Sequence, residues 1–235
     1  MRVSQIVTTT LREAPRESEG INQELLVRAG FMRQLTSGVY SFLPLGTRVV
    51  HKITQIVREE MNRAGGQEVI MPVIQPKDIW DKRPANGGPT RAESYGPVLF
   101  TLKDRKERDM VLGPTHEEVV TLLTKEFVRS YRDLPQMLYQ IQIKLRDEPR
   151  PRGGLLRTRE FLMKDLYSFD ADLDGLDRSY NKMKAAYDAI FTRCGLRFIS
   201  IEADSGAIGG KDSREFIALT EAGEDDAMQC DTCDY

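Results

Sequence analysis

Basic side chains and one aromatic ring are concentrated between Lys144 and Lys164. This stretch contains seven lysines and arginines but only three acidic residues. The planar guanidinium of arginine can donate two parallel hydrogen bonds to the oxygens of a phosphate or a carboxylate. Phe161 lies among these cations, and a flat ring beside arginines suits a nucleotide whose base stacks while its phosphates are bound. The alternative interpretation is a basic surface that contacts only solvent.

The sequence around these residues predicts a long antiparallel hairpin. Apolar and polar residues alternate from Met137 to Arg146, and a period of two is typical of a strand with one buried face. The polar face of this strand carries Gln142, Lys144, Arg146 and Glu148. A turn rich in proline, arginine and glycine at 149–156 leads to a second extended run at 157–169. We therefore expect the arginines on the two strands to have fixed directions.

Three helices are predicted from apolar residues at helical spacing. The first occupies 47–64 and ends at two glycines, and the third occupies 180–194 and ends at Gly195. The second begins near Thr115, because Thr115 and Glu118 have the spacing of a capping box.

Short strands complete the predicted fold. One is expected at 68–74, where Pro72 marks a sheet edge or an interface because proline cannot donate to a sheet ladder. Two more are expected at 199–203 and 216–219, and residues 77–97 are expected to form a surface loop. Hairpins outnumber βαβ units in this pattern, so the predicted class is α+β, an antiparallel sheet flanked by helices.

Composition excludes several kinds of protein. The 235 residues are 40% apolar and 30% charged, as in an ordinary globular protein. The net charge of -2 argues against binding nucleic acid by overall charge. No membrane span or secretory signal is recognisable, and three cysteines are too few for a disulfide framework, so we expect a cytoplasmic protein. Cys230 and Cys233 have only half the spacing of a zinc site, so no metal site is expected.

Five stretches of the chain resemble one enzyme family. The hairpin LRDEPRPRGGLLRTREFLMKD closely resembles motif 2 of class II aminoacyl-tRNA synthetases, in the form found in bacterial prolyl-tRNA synthetases. Residues 57–76 resemble motif 1, GPTHEE at 113–118 resembles the proline-binding loop, and ADSGAIGG at 203–210 recurs in the family. The opening QELLVRAGFMRQLTSGVYSFLPLG is similar to the N-terminal segment of the family. The stretches are collinear, so the resemblance covers residues 1–235 as a class II catalytic domain.

The resemblance implies roles for four residues of the hairpin. Arg146 corresponds to the motif 2 arginine, which bridges the amino-acid carboxylate and the α-phosphate of ATP. Glu148 would lie near the adenine or the tRNA end. Arg157 would reach the γ-phosphate, and Phe161 would stack on the adenine.

The resemblance also implies a proline site and a dimer. Thr115 and Glu117 correspond to the loop that holds the proline imino group, and Arg146 would bind the proline carboxylate. Pro72 corresponds to the motif 1 proline at the homodimer interface. Two of these residues have a simpler interpretation as well, because Thr115 could cap a helix and Glu117 would favour the dipole of its first turn.

The activity implied by the resemblance is that of a proline–tRNA ligase, which acts in protein biosynthesis. Proline and ATP, with Mg²⁺, would form prolyl-adenylate, and the prolyl group would pass to tRNA(Pro). Motif 3, the editing insertion and the anticodon-binding domain are not recognisable, so the chain is expected to be the N-terminal part of a larger enzyme. We expect the Mg²⁺ ligands to lie outside it, and the chain alone to aminoacylate poorly or not at all. The usual Ser-His-Glu-Phe of the family reads Ser-Arg-Glu-Phe at 213–216.

Two other functions remain open. A non-catalytic synthetase paralogue would bind nucleic acid or a partner protein, but it would be expected to have lost Arg146 or Glu117, and both are present. Another class II synthetase, such as a threonyl or seryl enzyme, is disfavoured by the GPTHEE loop.

Overall fold

The fold is a mixture of helices and short, mostly antiparallel strands, which confirms the α+β prediction. The computed structural model describes residues 2–13, 15, 18, 20–203, 213–221, 223, 226–228 and 232. The α-helices in this part of the chain are α1 (Ile21–Arg28), α2 (Pro44–Arg63), α3 (Arg91–Tyr95), α4 (Glu117–Phe127) and α5 (Leu173–Arg193). The strands are β1 (Met32–Thr36), β2 (Val39–Phe42), β3 (Gln67–Glu68), β4 (Ile74–Pro76), β5 (Thr101–Lys103), β6 (Asp109–Leu112), β7 (Gln136–Leu145), β8 (Glu160–Phe169), β9 (Phe198–Glu202) and β10 (Arg214–Ala218).

The strands form four small sheets within the described residues. Two are hairpins, β1–β2 and β9–β10, and the others have the orders β3-β7-β8 and β4-β6-β5. Every pair is antiparallel except β3 with β7, which are parallel over two residues. The predicted strands at 199–203 and 216–219 correspond to β9 and β10.

The predicted hairpin is the longest pairing in the structure. β7 and β8 pair antiparallel over ten residues each, with Gln140 opposite Asp165 and Lys144 opposite Phe161. Side chains alternate between the two faces of a strand, so these four residues lie on one face, which we call the inner face. Tyr139 and Ile141 lie on the opposite, outer face, where they pack against the helices.

The main core lies between the outer face of the hairpin and helices α2 and α5. Its buried residues are Met61, Tyr139, Ala186 and Ile190. Ion pairs join the two helices at one end of this core, because Arg193 of α5 bonds Glu59 and the buried Glu60 of α2. The hairpin therefore has an apolar support on one side only.

The connection between β7 and β8 is held by the N-terminal part of the chain. The side-chain amide of Asn22 donates to the Gly153 carbonyl oxygen at 2.8 Å, and the Arg159 N–H donates to the Gly38 carbonyl oxygen at 2.8 Å. Gly38 has φ of 74°, and a Cβ there would lie 2.8 Å from Pro151 Cγ, so this contact requires glycine.

The prediction of a surface loop at 77–97 is wrong in part. Trp80 is fully buried, and it packs with Leu99 and Val111 and edge-on against Tyr95, with ring centres 5.6 Å apart. Helix α3 begins after Thr90, which forms a capping box with Glu93. Residues 77–97 are rich in charged residues, proline and glycine, so their sequence did not indicate this second, smaller core.

The predicted strand at 68–74 is also wrong. Two short strands replace it, and the residues between β3 and β4 cross from one sheet to another. Pro72 lies in this crossing, where its missing N–H breaks no sheet ladder.

Two of the predicted helices begin earlier than expected. Helix α2 begins at Pro44, because proline is well tolerated in a first turn. Helix α5 begins at Leu173, where the Asp172 side chain accepts a hydrogen bond from the Gly175 N–H at 2.7 Å. Leu173 and Leu176 continue the apolar spacing of this helix toward its N-terminal end, although both side chains are exposed. No helix of the described residues is long and apolar enough to span a membrane.

Met61 tests the position of the main core. We expect Met61→Ala to lower the free energy of unfolding by about 2–5 kcal/mol, because it leaves a cavity beneath the hairpin. Val49→Ala, at an exposed position of the same helix, should change it by no more than about 0.5 kcal/mol. Urea denaturation of both variants measures the difference, and equal losses would contradict the assigned core.

Candidate functional site

Arg146 joins the hairpin to the loop that precedes α4. It follows the last residue of β7, and its Nη2 donates to the Pro114 carbonyl oxygen at 3.3 Å. The guanidinium carbon lies 5.4 Å from the centre of the Phe161 ring, within range of a cation–π contact. Arg146 Nε is buried without a hydrogen-bond partner among the described residues, so the side chain retains a donor for an anion.

Glu117 lies at the first position of α4, and its carboxylate is about one-third exposed. Oε2 accepts a hydrogen bond from the Thr115 hydroxyl and lies 3.3 Å from Arg91 Nη2. Arg91 Nε also donates to the neighbouring Glu118 at 2.9 Å. Two acidic side chains at the start of the helix are therefore joined to α3 through a single guanidinium.

The predicted capping role of Thr115 is wrong. His116 occupies the cap position of α4, and its side chain accepts no hydrogen bond from the first backbone N–H groups. A capping hydroxyl would have to accept such a bond, whereas the Thr115 hydroxyl donates its hydrogen to Glu117. Thr115 and Glu117 are thus directly coupled.

Arg146 and Glu117 are linked through the loop that leads into α4, because the Pro114 carbonyl oxygen that accepts from Arg146 Nη2 lies three residues before Glu117. Burial raises the pKa of Tyr95, the Glu117 carboxylate raises it further, and Arg146 and Arg91 lower it. Effects of this kind require charges that are close to the phenol. A negative group and a positive group therefore both lie near Tyr95.

Arg157 and Glu148 form a second pair at the end of the hairpin. Arg157 Nε lies 3.4 Å from Glu148 Oε2, and the Glu148 carbonyl oxygen accepts a hydrogen bond from Arg159 Nε at 3.1 Å. The Arg157 side chain is about half exposed. The structure thus groups Arg146 with Phe161, and Arg157 with Glu148.

Pro72 contacts the same loop through its backbone. Its carbonyl oxygen lies 3.0 Å from His116 Nε2 and accepts a weaker bond from Gln75 Nε2 at 3.4 Å. The proline itself is exposed. A residue expected at a sheet edge or an interface therefore also supports the start of α4.

No group of three or more His, Cys, Asp or Glu side chains among the described residues is arranged to hold a metal ion. Cys230, Cys233 and most of the stretch 203–210 lie outside the described residues.

Comparison with known proteins identifies the family. The model for the tRNA synthetase class II core domain (G, H, P, S and T) matches residues 100–235, more than half of the chain. The chain belongs to this family. Curated relatives named proline–tRNA ligase, from Dehalococcoides mccartyi strain CBDB1 and Desulforamulus reducens, are 56% and 57% identical over the whole chain. The chain spans only 40% of the length of each.

Solved structures support the class II fold. A Giardia lamblia prolyl-tRNA synthetase in complex with prolyl-adenylate is 20% identical, with a TM-score of 0.69 over 76% of this chain and 36% of that one. A Cryptosporidium parvum prolyl-tRNA synthetase with L-proline and AMP is 16% identical, with a TM-score of 0.69 over 81% of this chain and 38% of that one.

Sequence reasoning missed several polar residues beside the candidate site. Arg91 and Tyr95 lie in the stretch interpreted as a loop. The sequence predicts Lys144 on the polar face of the hairpin. The structure confirms the face but buries the side chain completely, and Lys144 pairs there with Asp165 of β8. The alternation pattern contained the signal for this pair, because it places residues 144 and 165 on the same face.

His116 should remain neutral at physiological pH. Burial lowers its pKa to about 4, and the nearby Lys144 charge contributes. The histidine pKa in the unfolded chain is near 6.5, so between about pH 4 and 6.5 the unfolded chain binds more protons than the folded chain. The free energy of unfolding should therefore fall as the pH decreases through this range. NMR titration of a His51→Asn variant, which leaves one histidine, should show the ring protonating below pH 5. A midpoint above pH 6 would contradict the burial.

Proposed function

We propose that this chain forms the amino-acid and ATP sites of a proline–tRNA ligase. The observation that carries the proposal is the position of Arg146, which lies against the Phe161 ring and bonds the Pro114 carbonyl oxygen, three residues before Glu117. One guanidinium thus contacts both the ring that would stack on adenine and the loop that leads to the Glu117 carboxylate. Relatives named proline–tRNA ligase support proline as the amino acid.

Proline carries a positive imino group next to a negative carboxylate, and Glu117 and Arg146 have the charges that would bind them. The Glu117 carboxylate, held by Thr115, would accept hydrogen bonds from the cationic imino group. Arg146 would bind the proline carboxylate with the donors that remain free. These roles agree with those implied by the family resemblance.

The ATP site would extend along the inner face of the hairpin. Phe161 would stack on the adenine, and Arg157 would bind the γ-phosphate. Glu148, which pairs with Arg157, would lie close to the adenine or the tRNA end. Mg²⁺, when bound with ATP, would neutralise phosphate charge.

The proposed reaction requires alignment more than proton transfer. A proline carboxylate oxygen attacks the α-phosphorus, a new P–O bond forms, and pyrophosphate leaves with the electrons of the broken bond. The nucleophile is already ionised, so no general base is needed. Arg146 would hold the attacking carboxylate and stabilise the negative charge that develops on the α-phosphate.

The remaining partners are proposed for the full-length protein. The prolyl group would be transferred to tRNA(Pro) in the cytoplasm, where tRNA is charged. A homodimer is supported by exposed apolar residues on both sides of Pro72, since Ile70 is 89% and Ile74 is 55% exposed. This surface would form part of the interface.

Arg146→Ala is the direct test of the proposal. In the full-length gene product, proline-dependent exchange of pyrophosphate into ATP should fall by about 10²–10³-fold or more, because the variant lacks the group that contacts both reactants. Arg150→Ala, at an exposed position of the same hairpin, serves as the control and should retain the rate to within a few-fold. An unchanged rate in Arg146→Ala, or no proline-dependent exchange by the unaltered protein, would contradict the proposal.

Glu117→Gln tests the amino-acid site separately. The KM for proline should rise roughly 10- to 100-fold, since a hydrogen bond to a charged group is lost, whereas the KM for ATP should change little. Glu126→Gln, exposed at the other end of α4, is the matched control. Equal increases in both KM values would argue against a contact between Glu117 and proline.

A further inference from the structure

A buried chain of polar groups connects the inner face of the hairpin to the start of α4. Lys144 Nζ, which is wholly buried, lies 2.8 Å from Asp165 Oδ1. The other carboxylate oxygen of Asp165 accepts hydrogen bonds from Gln140 Nε2 at 2.9 Å and from the Tyr167 hydroxyl at 2.6 Å. An ammonium on β7 therefore fixes a carboxylate on β8, and that carboxylate fixes a phenol.

The direction of the Tyr167 hydroxyl is determined by its partners. Its single hydrogen is donated to Asp165, so its oxygen is available as an acceptor. The His116 N–H donates to that oxygen at 3.0 Å, and Thr115 Oγ1 lies 3.5 Å away. Tyr167 thus contacts both residues that immediately precede Glu117.

Stability alone does not explain this arrangement. A buried ion pair loses its hydration, and replacing such a pair with apolar residues of similar volume is often neutral or stabilising. The main core lies on the outer face, whereas Lys144 and Asp165 lie on the inner face with Phe161. The pair is placed where it can act on the candidate site.

We propose that Tyr167, held by Asp165 and Lys144, is a positioning residue that directs the Glu117 carboxylate toward the ring nitrogen of the substrate. The inference rests on the proposed function, since it assumes that Glu117 binds a cationic imino group. Tyr167 anchors the backbone at His116, one residue before Glu117, and Thr115 bonds the carboxylate itself. A carboxylate held at both points can bind the substrate without first losing side-chain freedom.

The opposite face of the same hairpin provides a matched control. The Tyr187 hydroxyl accepts a hydrogen bond from Lys164 Nζ at 2.7 Å, and the Tyr187 ring stacks near Phe191 and Phe216. Tyr187→Phe removes a tyrosine hydroxyl bonded to a lysine, as Tyr167→Phe removes one bonded to an aspartate. Lys164, which Tyr187 contacts, lies on the outer face of the hairpin, opposite the face that carries Tyr167.

The experiment compares Tyr167→Phe and Tyr187→Phe in the full-length gene product by pyrophosphate exchange. We expect Tyr167→Phe to raise the KM for proline about fivefold, the effect of one lost hydrogen bond, with the KM for ATP unchanged within twofold. Tyr187→Phe should leave both KM values unchanged. An unchanged proline KM in Tyr167→Phe, or equal increases for proline and ATP, would overturn the inference.

An analogue that lacks the imino group separates positioning from general damage. Tetrahydrofuran-2-carboxylate has a ring oxygen in place of the nitrogen, so it cannot donate to Glu117. Its inhibition constant should be the same in the wild type and in Tyr167→Phe, whereas equal weakening of proline and analogue would overturn the inference. Absence of proline-dependent exchange in the wild type would overturn the proposed function as well, whereas an active wild type with an unaffected Tyr167→Phe would overturn only the inference.

Discussion

The pairing of β7 with β8 determines where the rest of the structure can lie. Ten consecutive residue pairs fix the register, and a shift by one residue would exchange the two faces. In the observed register Tyr139 lies on the outer face and packs against the helices, whereas Lys144, Asp165 and Phe161 lie on the inner face. One set of backbone hydrogen bonds thus creates an apolar support and a polar site on the same two strands.

Charge on the inner face is organised into compensated and uncompensated groups. Lys144 and Asp165 neutralise one another in the interior, and the unpaired Nε of Arg146 leaves that side chain with a donor for an anion. Glu117 is shared between Thr115 and Arg91, and it stays partly exposed. A cation at the end of β7 and an anion at the start of α4 are thus linked through the loop at Pro114, an arrangement that would suit a zwitterionic ligand.

The sequence predicted the parts of the molecule that depend on local periodicity. The hairpin, the body of α2 and α5 and the strands β9 and β10 follow from apolar spacing, and the class II family follows from five collinear motifs. The capping role of Thr115 was wrong because the helix begins one residue later than the capping-box spacing indicates, with His116 at the cap position. The strand through Pro72 was wrong as well, and there the Pro72 carbonyl oxygen contacts His116, 44 residues away in the chain. The burial of Trp80 and Lys144 could not be predicted either, since it depends on packing between segments that are distant in the chain.

The contact between Asn22 and Gly153 has a consequence for synthesis on the ribosome. The two residues are 131 positions apart, so the segment that holds the hairpin connection is made long before the connection itself. At a translation rate of about 5–20 residues per second, roughly 7 to 26 s separate their appearance. During that interval the polar groups of the early segment are hydrated, and the nascent chain acquires this part of its fold only after the hairpin has left the exit tunnel.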